Sequence, residues 1–391
     1  MTRTITVEER RARLSRRHLL LPETRTDDVV AIADSVVALH STDPVTVYLS
    51  VAARMEHPSI EAVDHVLYQQ RTLVRHHAMR RTLWVATPPT VRLMHAATTR
   101  KIAATEQRRT AKYLADGGMA DPETWLKDAR EQVLAAFREH GAMSTRRLGE
   151  LIPSLKVPIE LSVGKKYAAT ISAHTRVPLM LGFEGELVRT RPTGSWINSQ
   201  YVWELMDSWM PGGVGDLDEK ESAVTLADAW LRRFGPATQR DLQWWMGWTA
   251  ALTKHALAGC RAEVVDLDGE TGYVAEGDTE PEPPVEPWVA LLPGLDPTTM
   301  GWKQRAWYLD PLCAETFDSA GNGGPTIWVD GRIVGVWAQT PAGEFLSHYF
   351  LDVPARVKKA VGAEVDRIRD LVGETRFSVR FPSPVHKALL G

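Results

Sequence analysis

His40, Ser41, Thr42 and Asp43 stand in a row directly before Pro44. An imidazole, two hydroxyls and a carboxylate within four residues form a donor and acceptor set able to hold and polarise a water molecule. The histidine can act as a neutral acceptor or a weak base, because an imidazole titrates near neutrality. Thr42 can supply a second hydrogen bond to that water. A carboxylate at Asp43 can stabilise positive charge developing on a nearby carbon. The same residues also serve structure. Asp43 ahead of Pro44 is a helix start, with the aspartate capping free N–H groups and proline at the first helical position. Ser41 and Thr42 suit turn backbone, and His40 suits a helix C-terminus. Capping and chemistry can share one carboxylate.

Two helices must meet at this elbow. Apolar residues recur at helical spacing before it (Val29, Ile32, Ala33, Val36, Val37) and after it (Val47, Tyr48, Val51, Ala52, Met55). The pattern predicts helices over 8–20, 27–41, 44–56 and 59–70, then strands over 73–79 and 81–87 ended by Pro88-Pro89. Helices followed by a two-stranded wing are the winged-helix arrangement, in which one helix enters a DNA groove and the wing touches backbone. The hairpin carries Arg75, His76, His77, Arg80 and Arg81, a set suited to phosphates. A further helix over about 89–115 adds Arg92, Arg100, Lys101, Arg108, Arg109 and Lys112 before a linker at 116–122.

The next unit repeats. Residues 137–152 overlay residues 231–246 at a constant offset of 94, placing Gly141 on Gly235, Ser144 on Thr238, Arg146 on Arg240 and Leu148 on Leu242. Each copy reads as a helix, a Gly-containing turn and a Ser/Thr cap opening a second helix. Third helices are expected at 160–175, carrying Lys165 and Lys166 as further phosphate contacts, and at 249–259. Strand reversals are expected at Glu184-Gly185 and Asp268-Gly269. Residues 276–287, acidic and Pro-rich, read as a connector without structure. Beyond them lie a strand at 288–297, a hairpin at 325–339 around Asp330-Gly331, and a final helix at 353–372. Trp244, Trp245 and Trp248 cluster at helical spacing, as packing residues do.

At 391 residues the chain exceeds one ordinary core. Its 44% hydrophobic and 24% charged content are those of a globular protein. Cys260 and Cys313 have no metal-ligand spacing, and His76-His77 has no carboxylate or cysteine beside it to complete a metal site. No Gly-rich phosphate loop, nucleophile elbow or HExxH sequence occurs. The first seventeen residues lack the apolar core of a secretion signal, and no run approaches the ~18 apolar residues of a membrane span. The net charge of -3 divides unevenly: residues 1–120 carry 18 Lys/Arg against 12 Asp/Glu, and the remainder 28 against 37. A basic first third favours an anionic partner for that third, nucleic acid above all.

The ordered segments VVALHSTDPVTVYLSVAARM, MRRTLWVAT, FGPATQRDLQWWMG and LLPGLDP…KQR…DGRIVGVW, spread over residues 36–337, resemble the winged-helix proteins related to the AlkZ and YcaQ bacterial DNA glycosylases. In that family the elbow carries Gln-x-Gln or Gln-x-Asp, whose side chains position the hydrolytic water. The matching positions here are His40 and Thr42, with Ser41 between them. The resemblance implies tandem winged helices wrapped around duplex DNA and removal of alkylated purines without metal or cofactor. The expected fold is α+β, mainly α: winged-helix-like units at 1–118, 119–215 and 216–280, then a β-rich element with a final helix at 281–391. The expected activity is that of a monofunctional DNA glycosylase with His40, Thr42 and Asp43 at the water, DNA held by Arg75, Arg80, Arg81, Arg100, Lys101, Lys165 and Lys166, and no metal. A cytoplasmic monomer is expected. Two alternatives remain open: a DNA-binding regulator without catalysis, and a scaffold turned to protein contacts.

Overall fold

The computed structural model describes residues 2–161 and 168–391. One order of elements occurs three times. In the first unit, helix Val29–Ser35 leads to the short strand Leu39–His40, helix Pro44–Ala52, helix Ile60–Asp64 with a wider turn to Gln70, and strands Val74–Ala78 and Thr82–Ala86. The short strand pairs with the last one, Leu39 opposite Val85 and His40 opposite Trp84. In the second unit helices Pro122–His140, Thr145–Leu151 and Ala173–Glu184 precede strands Leu187–Pro192 and Tyr201–Leu205, and Met143–Ser144 again pairs with the last strand. In the third, helices Glu219–Phe234, Gln239–Met246 and Ala250–Gly259 precede strands Glu263–Leu267 and Glu270–Val274, with Ala237 bridging to Tyr273. Ser144 and Thr238 cap the second helix of their units as their spacing requires, accepting from Arg147 N–H and Asp241 N–H. The molecule is thus α+β and mainly helical.

Several boundaries differ from the sequence reading. The helix expected to 41 ends at Ser35, because Val37 takes a left-handed φ of 64° and the chain then pairs as a strand. A β-branched residue rarely adopts that conformation, so this turn is strained. The third helix of the second unit starts at Ala173, behind an extra hairpin of strands Pro158–Leu161 and Ala169–Ser172. Gly185 caps that helix with φ 80° and is not the hairpin turn, which lies within 193–200. Lys165 and Lys166 lie outside the described residues.

The acidic connector has no regular structure, yet it is held. Arg13 bonds the Asp278 carboxylate at 3.1 Å and the Glu280 carbonyl at 2.5 Å, Arg17 bonds Asp278 at 2.8 Å, and Arg16 bonds Glu282 at 2.7 Å. Part of the basic surplus of the first third is therefore neutralised inside the chain.

Beyond the connector, strands Val289–Leu292, Thr326–Val329, Arg332–Gln339 and Phe345–Tyr349 form a four-stranded antiparallel sheet in chain order. Helix Ala355–Val372 follows, and helix Pro384–Leu390 ends the chain. One hydrophobic core joins the first and third units to part of this sheet, through Trp84, Trp230, Trp245, Trp302 and Trp328. The second unit has its own core around Phe137, Leu148 and Trp203. A third core sets Val45 and Leu49 of the elbow helix against Leu291, Ile327 and Trp337.

The elbow helix Pro44–Ala52 is buried along its whole length, and an ion pair fixes its far end. Arg54 donates through Nη1 and Nη2 to the two oxygens of Asp296, both at 2.9 Å, with both side chains fully buried. Its remaining donors reach the His18 carbonyl (2.9 Å), the Ser50 carbonyl (2.7 Å) and Thr298 Oγ1 (2.8 Å). Removing one partner strands a buried charge, which costs ~3–5 kcal/mol. Arg54→Met and Asp296→Asn are each expected to lower unfolding free energy on that scale in chemical denaturation. The double variant Arg54→Met/Asp296→Asn is expected to lose less than the sum of the single losses; a strictly additive result would show that the pair is not a unit.

Candidate functional site

The elbow residues face two ways. His40 sits on the short strand with its ring edge-on to Trp84, centroids 4.8 Å apart. Burial, aided by the nearby Arg80 charge, pushes its imidazole down to about 3. It is therefore neutral near pH 7, and Nδ1 is approached by the Thr42 N–H at 3.4 Å. With Nδ1 as acceptor, the ring proton is assigned to Nε2. Ser41 N–H donates to the Leu83 carbonyl at 2.7 Å, and Thr42 Oγ1 accepts from Leu83 N–H at 3.3 Å. Both hydroxyl residues thus tie the elbow to the hairpin.

Asp43 caps the elbow helix through Val45 N–H at 3.2 Å. Its carboxyl faces the C-terminal sheet, beside Pro293, Gly294 and the tail residues Phe377–Phe381. Burial pushes it up to about 6, against the opposing pull of the Val45 N–H and the Arg380 charge. The void it lines measures about 20 Å³, room for a water molecule and not for a nucleotide. Thr46 Oγ1 bonds the Gly294 carbonyl at 2.6 Å and holds the two sides of this void together.

The hairpin residues divide. Arg75 is buried at 2% exposure, donating to Ser41 Oγ at 3.2 Å and to the Thr190 carbonyl at 3.0 Å. It is not a surface phosphate contact, because the second unit packs over its strand and all five residues Val74–Ala78 are buried. His76 and His77 are buried with it, burial holding both imidazoles well below the usual range. Arg80 and Arg81 form the turn, both left-handed, with φ of 56° and 63°. Such conformations cost a non-glycine residue ~1–2 kcal/mol. Arg80 lies over the Trp244 ring at 4.2 Å, and Arg305 approaches the same ring at 5.6 Å. Arg81 is half exposed and 3.4 Å from Glu106, which also pairs with Arg109.

Arg80, Arg81, Lys101, Arg109, Gly247 and Trp248 line an open cleft of about 490 Å³ where the first and third units meet. Arg100 and Lys101 pair with Asp216 and Glu219 near the surface, contacts weak enough to be exchanged for phosphate. Arg109, one of the basic residues the sequence placed on the helix after the hairpin, joins this set. Arg305, not a sequence candidate, approaches the Trp244 ring that Arg80 covers without lining the cleft. The KQR segment was the available signal for Arg305. Among the described residues, one group has metal-ligand atoms close together, Asp27, Glu56 and His57. It is exposed, and its His57–Asp27 pair at 2.8 Å accounts for it.

A family model described as DNA glycosylase AlkZ-like matches residues 33–371. A solved structure of the DNA glycosylase AlkZ of Streptomyces sahachiroi shares the fold, with a TM-score of 0.72 and 20% identity, covering 96% of this chain and 99% of that one. No curated protein sequence matches.

The buried ring of His40 gives a direct check. In NMR titration from about pH 5 to about pH 8 its ring signals are expected to stay constant. The exposed His57, whose imidazole the Asp27 hydrogen bond and charge hold above the ordinary 6.5, is expected to titrate with its midpoint above that value. A His40 midpoint near 6.5 would contradict its assigned neutrality.

Proposed function

The chain belongs to the AlkZ-like DNA glycosylase family, and from that premise we propose that it hydrolyses the N-glycosidic bond of alkylated purines in duplex DNA. The observation that carries this reading is an open cleft lined by four cations, one of which, Arg80, also acts with its charge on the neutral imidazole of His40 at the elbow. An N7- or N3-alkylated purine is cationic and departs as a neutral base. The reaction then needs a placed water and stabilisation of the sugar's developing charge more than it needs an acid. In this reading His40 and Thr42 place the water. Asp43, which faces the water-sized void beside the tail, acts on the sugar's developing charge at a distance through its own negative charge. Arg80, Arg81, Lys101 and Arg109 hold the backbone, with Arg100 at the rim. Lys165 and Lys166 remain proposed contacts from the sequence alone. The tandem units at 1–118, 119–215 and 216–280 and the element at 281–391 would present these surfaces to one duplex, as a cytoplasmic monomer without metal. Among the described residues no helix is long and apolar enough to cross a membrane.

A second reading has its own support. Thr42 and Asp43 have complete structural employment in turn and cap, which suits a DNA-binding protein without catalysis. Release of N7-methylguanine from alkylated duplex DNA separates the two. The wild type is expected to release free base and leave abasic sites, with His40→Ala reduced at least ~10-fold. DNA binding with no release of any alkylated base would favour the second reading.

The pH profile follows from Asp43. Its carboxyl is protonated below about 6 and ionised above, so release is expected to rise through about 6 and level off toward neutrality. Asp43→Asn should be slow and lack that rise, and a wild-type profile flat across 6 would remove Asp43 from the mechanism. Arg81→Gly relieves a left-handed residue while deleting a cation. It is expected to leave Tm unchanged or raised and to lower DNA affinity; equal affinity would take Arg81 out of the interface.

A further inference from the structure

The second unit holds a cleft of about 590 Å³ between the start of helix Thr145–Leu151, helix Ala173–Glu184 and the hairpin of Leu187–Pro192 with Tyr201–Leu205. That volume lies within the range of ligand sites, ~300–1,000 Å³. Its lining includes Arg146, His174, Arg189, Gln200, Tyr201 and Trp203, and no carboxylate among the described residues. Arg146 is 91% exposed at the side chain and leans on Glu150 at 3.5 Å, outside the lining. Arg189 lies over the rings of Trp203 at 4.9 Å and Tyr201 at 5.6 Å. Arg75 approaches the same tyrosine ring at 5.1 Å.

Three buried polar atoms of the lining residues have no protein partner: Arg189 Nε, Tyr201 Oη and His174 Nδ1. Tyr201 is only 6% exposed. A buried hydroxyl or guanidinium N–H without a partner costs ~1–3 kcal/mol, and buried polar atoms of this kind ordinarily find one. Three on the lining of one cleft mark a place built to be completed by a ligand. The donors are guanidinium, phenol and imidazole, and nothing in the lining repels negative charge. That donor set suits the oxygens of a phosphate ester.

We infer that this cleft is an oxyanion site that takes a phosphate ester of a nucleic-acid strand, bound by Arg189 and Tyr201 with Arg146 at the mouth. In that form the inference rests on the proposed function, since it adds a second place where the same duplex is held. The site is coupled to the elbow. Arg75 touches the Tyr201 ring on one side and donates to Ser41 Oγ at 3.2 Å on the other. A strand seated in the cleft is thus registered against the elbow through one rigid side chain.

The test is duplex DNA affinity against salt concentration for the wild type, Arg189→Gln and Tyr201→Phe, with thermal melts to establish that each variant is folded. Tyr201→Phe keeps the ring and removes only the hydroxyl, so it serves if Arg189→Gln fails to fold. Loss of one phosphate contact is expected to make the slope of log K against log salt shallower by about one in Arg189→Gln. Tyr201→Phe is expected to bind several-fold more weakly at an unchanged slope. Wild-type affinity and slope in both variants would overturn the site. If the wild type binds no duplex, the proposed function falls separately, and inorganic phosphate at constant ionic strength becomes the probe. A Tm raised by phosphate in the wild type but not in Tyr201→Phe would keep an oxyanion site for a free phosphate and sink its strand-backbone form. No phosphate effect in either would overturn it altogether.

Discussion

The buried pair of Arg54 and Asp296 sets the geometry on which the rest depends. Burying two charges gains little net stability, since desolvation offsets most of their attraction. What it gives is a unique arrangement. All five guanidinium donors find acceptors, on the helix Arg54 terminates, on the first helix of the chain and on the loop after Val289–Leu292. His18 joins the same cluster, Nδ1 against Thr298 Oγ1 at 2.8 Å. With its far end fixed, the elbow helix presents its start, and hence Asp43, to the C-terminal sheet. Sliding the helix by a residue would break the bidentate fork and leave charge unpaired in a dry core.

A second buried carboxylate seats the third unit. Asp241 closes a capping box with Thr238 through Oδ2, while Oδ1 accepts from the N–H groups of Lys303 and Gln304 at 2.9 and 2.8 Å. This joint brings helix Gln239–Met246 against the hairpin. Trp245 then packs on Trp84 at 5.2 Å and Trp244 lies under Arg80. His40 packs on Trp84, whose other neighbour Trp245 lies more than 150 positions away in sequence, and the burial of its ring removes its charge near pH 7.

Much of this was legible in the sequence because it is local. Asp43 before Pro44, Ser144 and Thr238 at equivalent places, and Asp268-Gly269 and Asp330-Gly331 between alternating strands each carry their physical reason within a few residues. The α+β, mainly helical architecture and the family followed from the order of such segments. What failed to show was non-local. Arg75, His76 and His77 are polar in a row, as an exposed strand would be, yet the next unit packs against this strand through Leu187–Pro192 and all five of its residues are buried. The connector has a disordered composition, and its acidic side chains found arginines about 265 residues earlier. Helix Pro44–Ala52 shows that buried surroundings follow from partners, which periodicity does not name.

The electrostatics of the elbow bear on which substrate the proposed activity can accept. An ordinary purine leaves a sugar readily only if a nitrogen is protonated as the bond breaks. His40, with its imidazole pushed down to about 3, carries no extra proton near pH 7 to give. Asp43, at about 6, is then mostly ionised and faces the void beside the tail. His40 is thus no acid at that pH, and Asp43 faces a void with room for a water molecule and not for a base, so neither is placed to protonate a departing purine. A base made cationic by alkylation needs none, because it already holds the charge that protonation would supply. On the proposed reading, burial therefore does two things at once: it lets His40 hold water as a neutral ring, and it withholds the acid that would put undamaged purines at risk.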